Sequence, residues 1–90
     1  MEIDITIQKR FITELKLKGN DLLIFSFISS WNWEYEEGYD LGVHKLANYL
    51  HLNYSTVINS LNKLIDEKLV KRTDRGVGYS DIYSIYESGQ

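Results

Sequence analysis

The chain contains no cysteine and no proline. Without cysteine there is no disulfide frame, no thiolate nucleophile and no cysteine-based zinc or iron–sulfur site. That absence suits a reducing compartment. No apolar run approaches the roughly 18 residues that a membrane-spanning helix needs. The opening MEIDITIQKR lacks the basic start and apolar stretch of a signal peptide. The expectation is a soluble, cytoplasmic protein with no membrane partner. Glycine is confined to expected turns, and neither an internal repeat nor a low-complexity tract is present.

What is present fits one small domain of 90 residues, 43% hydrophobic and 26% charged. So short a chain buries a thin core. Its net charge of −3 is unevenly spread. Residues 1–42 hold four basic and eight acidic side chains, whereas residues 43–75 hold six basic (Lys45, Lys63, Lys68, Lys71, Arg72, Arg75) and three acidic. Residues 76–90 add −2. A split of this kind can make one face attractive to phosphate while the rest repels it.

RFITELKLKGN reads as a short lead-in whose Phe11, Ile12, Leu15 and Leu17 cover the core. NDLLIFSFISSWNW predicts a first helix from about Gly19 or Asn20, with Asp21 where the helix dipole favours a carboxylate. Leu22, Leu23, Phe25, Phe27, Ile28 and Trp31 leave it little polar surface, so it is expected to be buried. EYEEGYD reads as a polar loop, followed by a short extended piece at Leu41. In VHKLANYL, Val43, Leu46, Ala47 and Leu50 follow the i, i+3, i+4, i+7 rule of a one-faced second helix. HLN is a tight turn. A third helix then runs from Tyr54 to about Lys68, with Asn53 as N-cap and Val57, Leu61, Leu64 and Ile65 inward. KLVKRT, DRGVG and YSDIYSIY predict strand, glycine-containing turn and strand, a hairpin.

The stretch LANYLHLNYSTVINSLNKLIDEKLVKR, residues 46–72, is similar to the pattern shared by winged helix-turn-helix regulators of the MarR and GntR kind. In that pattern a helix with Leu-Ala precedes a turn, a recognition helix and a wing. Glu67-Lys68 stands where such families often have a glycine, and Ile58 where they commonly carry a polar residue. RFITELKLKGNDLLIFSFISSW resembles the N-terminal domain of phage and plasmid replication initiators. The resemblance implies a mainly α fold with a β-hairpin wing (α+β), a three-helix winged helix-turn-helix occupying residues 1–90. The helix-turn-helix would take about 43–68 and the wing about 69–86. It also implies double-stranded DNA as partner, in transcription regulation or DNA replication.

A recognition helix offers its N-terminal side chains to base edges. With Val57, Leu61 and Leu64 inward, Tyr54, Ser55, Thr56, Asn59, Asn62 and Lys63 turn outward. An asparagine amide can pair bidentately with adenine, at about 1–3 kcal/mol of discrimination, which makes Asn59 the candidate for base readout. The hydroxyls of Tyr54, Ser55 and Thr56 can reach phosphate. Lys71, Arg72 and Arg75 flank the wing turn, and Lys45 lies near the start of the second helix. About four neutralised phosphates per chain would give a salt slope of roughly −4.

Trp31, Trp33 and Tyr35 exceed what so small a core can hide, and aromatic residues are enriched at interfaces, so they are candidates for a homodimer contact. The competing expectation is a winged helix used as a protein-interaction module, which the net acidity, Ile58 on the would-be recognition face and the tryptophan-rich segment favour. No catalytic function is expected. Glu34, Glu36, Glu37 and Asp40 cluster without a phosphate-binding glycine loop or a Ser-His-Asp arrangement. His44 and His51 lack a third ligand for a metal, so neither metal nor cofactor is expected.

Overall fold

The computed structural model describes residues 3–86 and is α+β. Its elements are α1 (Lys9–Thr13), α2 (Gly19–Tyr35), α3 (Val43–Leu50), α4 (Tyr54–Asp66), β1 (Val70–Thr73) and β2 (Ile82–Ile85). Four helices therefore stand where the sequence predicts three, because the lead-in contains a helical turn of its own. Phe11 is fully buried and meets the edge of Phe25 at 4.8 Å. The turn is closed by Leu17 N–H donating to the Phe11 carbonyl at 3.0 Å. A single turn that faces Phe11 and Leu15 inward must turn Ile12 out. Ile12 is 49% exposed, against expectation.

α2 is the central element, packed against α4, β2 and α1. Every residue from Ile24 to Trp31 is buried, including Ser26, Ser29 and Ser30. Its polar groups also tie down other segments. Ser30 Oγ accepts the Thr6 amide at 2.9 Å, and Asn32 Oδ1 accepts the Ile85 amide at 2.9 Å. The helix is apolar over much of its length, yet among the described residues no helix is long and apolar enough to cross a membrane.

The expected polar loop EYEEGYD needs correction at Tyr39, which is fully buried. Its backbone pairs with Tyr83 through bonds of 2.7 and 2.9 Å, forming an isolated bridge on the outer side of β2. The phenol meets Phe27 and Trp31 edge-on, and its hydroxyl donates to the Gly42 carbonyl at 2.8 Å. The extended piece expected at Leu41 thus falls at Tyr39, where the pairing partner is. Gly38 makes this approach feasible. A Cβ there would run into the Ile82 side chain and lie 3.0 Å from the Tyr83 carbonyl oxygen.

α3 and α4 pack together, joined by residues 51–53. Each of the four helices is followed by a non-glycine residue in the left-handed region: Lys16, Glu36, His51 and Lys68, at φ 60°, 57°, 58° and 62°. The ends of α3 and α4 share one bonding pattern, the six-to-one and five-to-two closure of a Schellman cap. After α3, the Leu52 amide reaches the Ala47 carbonyl at 2.9 Å and His51 reaches Asn48 at 3.2 Å. After α4, Leu69 reaches Leu64 at 2.9 Å and Lys68 reaches Ile65 at 3.0 Å. Lys68 therefore stands outside the helix and ends it, two residues earlier than expected. Asn53 does occupy the N-cap, but its side chain makes no capping hydrogen bond.

In the hairpin, Val70 pairs with Ile85, Lys71 with Ser84, Arg72 with Tyr83 and Thr73 with Ile82. Alternation puts buried Val70 and Tyr83 on the helix side together with Arg72, and sends Lys71 and Ser84 to the other side.

Candidate functional site

α4 buries Val57, Ser60, Leu61 and Leu64. Its opposite strip carries Ser55, Asn59 and Asn62, all exposed. Helical spacing continues that strip to Asp66, also exposed, so its C-terminal end is acidic. Thr56 is half-buried. Ile58 turns towards the hairpin, whereas Lys63 turns towards α2.

Beside α4 lies an open groove of about 520 Å³ between the start of α3, the start of α4 and the hairpin. It gathers Lys45, Tyr54 and Arg72 from three separate elements, with Ile58 on its floor and His44, Tyr79, Asp81 and Tyr83 around it. Tyr54 is 45% exposed and stacks on His44, with ring centroids 4.2 Å apart. That stack links α4's first residue to the first turn of α3. Burial raises the Tyr83 phenol above its ordinary pKa, and the neighbouring Arg72 pulls the other way.

The nominated cations are less free than the sequence implies. Lys63 Nζ sits 3.0 Å from Asp21 Oδ2, and this hydrogen-bonded carboxylate holds the ammonium above its ordinary pKa. Arg72 Nε lies 3.3 Å from Asp81 Oδ2. Arg75 Nη1 is 4.0 Å from Asp40 Oδ2, while its Nε donates to the Ser80 carbonyl at 2.8 Å. Its guanidinium carbon is also 5.7 Å from the centre of the Tyr79 ring, so Arg75 largely braces its own turn. Lys71 lies apart from this set. It lines a second depression, on the other side of the hairpin, with Trp33, Glu34, Glu36 and Glu37.

Of the ten nominated residues, then, Lys45, Tyr54 and Arg72 share the groove, and Ser55, Asn59 and Asn62 form the adjoining strip. Thr56 and Lys63 flank it, Arg75 supports the turn, and Lys71 points elsewhere. Sequence reasoning missed His44, Tyr83 and the acidic partners, which only long-range packing brings in. Asp66 was available from helical spacing alone. The aromatic candidates divide as well. Trp31 is 7% exposed, sandwiched among Phe27, Tyr35 and Tyr39, and belongs to the core, whereas Trp33 is 86% exposed. Comparison of the chain with known protein families, with curated proteins and with solved structures gives no match.

Proposed function

We propose that this chain is a winged helix-turn-helix domain that reads duplex DNA. α4 would enter the major groove as recognition helix, and the β1–β2 hairpin would follow the phosphate backbone as the wing. Transcription regulation or replication initiation in the cytoplasm is the role that such a domain suits. The observation that carries the reading is the juxtaposition of a neutral, hydrogen-bonding strip with a cationic groove. Ser55, Asn59 and Asn62 project from one face of α4, and Lys45, Tyr54 and Arg72 converge beside them. Base-edge readout calls for the first set and phosphate positioning for the second. The uncapped first turn of α4 adds amide donors at the same end.

With Lys45 and Arg72 as the cations of the groove, about two phosphates are neutralised, and the salt slope is roughly −2. Affinity then falls about tenfold between about 50 and about 200 mM salt. The test is selection from a randomised duplex pool, then fluorescence anisotropy on the selected site. Asn59→Ala is expected to cost about 1–3 kcal/mol on that site. Arg72→Ala should weaken binding to all sequences and flatten the salt dependence. Binding absent at both salts, or untouched by either substitution, refutes the reading.

A second reading is a winged helix used to hold a protein. It draws on Ile58 in the groove and on the carboxylates that hold Lys63, Arg72 and Arg75. Here Ile58→Asp abolishes partner capture, and no duplex is selected.

A further inference from the structure

The depression on the far side of the hairpin has a different chemistry from the α4 face. Trp33 stands in it almost wholly solvated, beside exposed Tyr86. Around this apolar patch are the carboxylates of Asp4, Glu34, Glu36 and Glu37, none of them in an ion pair with a described residue. The cations lining it are Arg10 and Lys71. Four carboxylates against two cations leave the depression at −2.

The position of these carboxylates is itself unfavourable. α2 is 17 residues long with no basic residue in its last turn, and Glu34 and Glu36 stand at that end. The C-terminus of a helix carries partial negative charge, so carboxylates there are repelled and a cation is stabilised. A solvated indole at the same place offers the face over which a guanidinium or ammonium is attracted.

We infer that this depression is a docking surface for an arginine- and lysine-bearing segment of a partner protein, seated with a cationic side chain over Trp33 and among Glu34, Glu36 and Glu37. Charge selects this occupant over a second copy of the chain. A two-fold contact through Trp33 would set each cluster of carboxylates against its own image. A head-to-tail contact through the α4 face would find three of its four cations, Lys63, Arg72 and Arg75, already holding Asp21, Asp81 and Asp40, with Lys45 alone unpaired among the described residues. Nucleic acid is repelled outright. Because Lys71 and Arg72 project from opposite sides of β1, a partner here leaves the α4 face clear. The inference stands whether or not that face binds DNA.

The experiment titrates the full chain with a fluorescein-labelled peptide of alternating arginine and leucine, with an alternating glutamate and leucine peptide as control. Trp33→Ala and the triple variant Glu34→Gln/Glu36→Gln/Glu37→Gln run alongside, their folding checked by circular dichroism. All four side chains are exposed, so both variants are expected to fold as the parent does. The expected result is binding of the basic peptide alone, weakened about tenfold or more by either variant. Covering Trp33 also shifts tryptophan emission to the blue, a change that the Trp33→Ala variant lacks. Equal binding by parent and variants, or no binding, overturns the inference. So does sedimentation showing a self-associating chain that Trp33→Ala makes monomeric, since the occupant is then a second copy.

Discussion

Tyr39 joins α2, the start of α3 and the hairpin, and its phenol gives the fold a pH signature that can be worked out beforehand. Burial, with a smaller push from Asp40, raises its pKa from 10.0 to about 12. In the unfolded chain the phenol ionises near its ordinary value of about 10. Below that pH both states keep the proton, and the contribution to stability is whole. Between about pH 10 and about pH 12 only the unfolded chain releases it, so stability falls as pH rises. The loss is about 1.4 kcal/mol at about pH 11 and approaches about 2.7 kcal/mol above the folded pKa.

Tyr39→Phe removes this dependence together with the 2.8 Å hydrogen bond to Gly42, which contributes about 1 kcal/mol. The Gly42 carbonyl keeps the Leu46 amide at 3.3 Å, so it is not orphaned. The parent is therefore about 1 kcal/mol more stable than the variant near pH 8. The two curves cross between about pH 10.5 and about pH 11, and above that the variant is the more stable. Tyr83 is also raised by burial, but it is present in both proteins and cancels in the difference. Urea unfolding of both proteins across this range, followed by circular dichroism, is the assay. Curves that stay parallel would mean that the phenol is not held out of water as the structure has it.

Three further outcomes can be checked in the same way. Lys68→Gly relieves a left-handed lysine at φ 62° and should raise stability by about 0.5–1 kcal/mol, read as a higher urea midpoint at unchanged slope. Ser26→Ala deletes a fully buried hydroxyl that has no hydrogen-bond partner among the described residues, and a gain of about 1 kcal/mol in the same assay is expected. A loss would show that the hydroxyl is satisfied. Asp81→Asn frees Arg72 from its 3.3 Å partner, and under the DNA reading it tightens duplex binding a few-fold, since exposed pairs contribute about 0.2–1 kcal/mol. Unchanged or weaker binding in that variant would remove Arg72 from the interface.

The parts legible in the sequence are those whose signal is local. Val57, Leu61 and Leu64 recur at helical spacing, so α4 and its outward strip could be read directly, and the glycine-containing turn between KLVKRT and YSDIYSIY announced the hairpin. Tyr39 was hidden because its neighbours Glu36, Glu37 and Asp40 make the segment look solvated, while its reason for burial, pairing with Tyr83, lies far along the chain. The same holds for Lys63, whose charge is taken up by Asp21 from another helix. Lys71 is a different kind of miss. Period-two alternation already separates it from Arg72, yet charge counting placed both on one surface. The αL end at Lys68 was marked by position, since glycine is the residue expected there, but a lysine adopts the conformation because the cap's two backbone bonds hold it.

The paired cations bear on how this chain can recognise anything. Residues 43–75 carry +3 when counted along the sequence. In space, Lys63, Arg72 and Arg75 are met by Asp21, Asp81 and Asp40, all from outside that stretch. Without Lys71, which faces the far depression, that stretch contributes +2, and these three carboxylates leave the α4 side with no net positive charge. A face so balanced gains little from counterion release, the term that drives sequence-independent binding. Whatever affinity the proposed DNA reading requires must then come from directed contacts at Ser55, Asn59 and Asn62, which are made with the correct bases and lost with the wrong ones. Under that reading, the expected outcome is weak binding to random duplex together with a large ratio of specific to non-specific affinity. The excess of carboxylates at the far depression strengthens this bias, because it keeps a polyanion from settling on the opposite side of the hairpin.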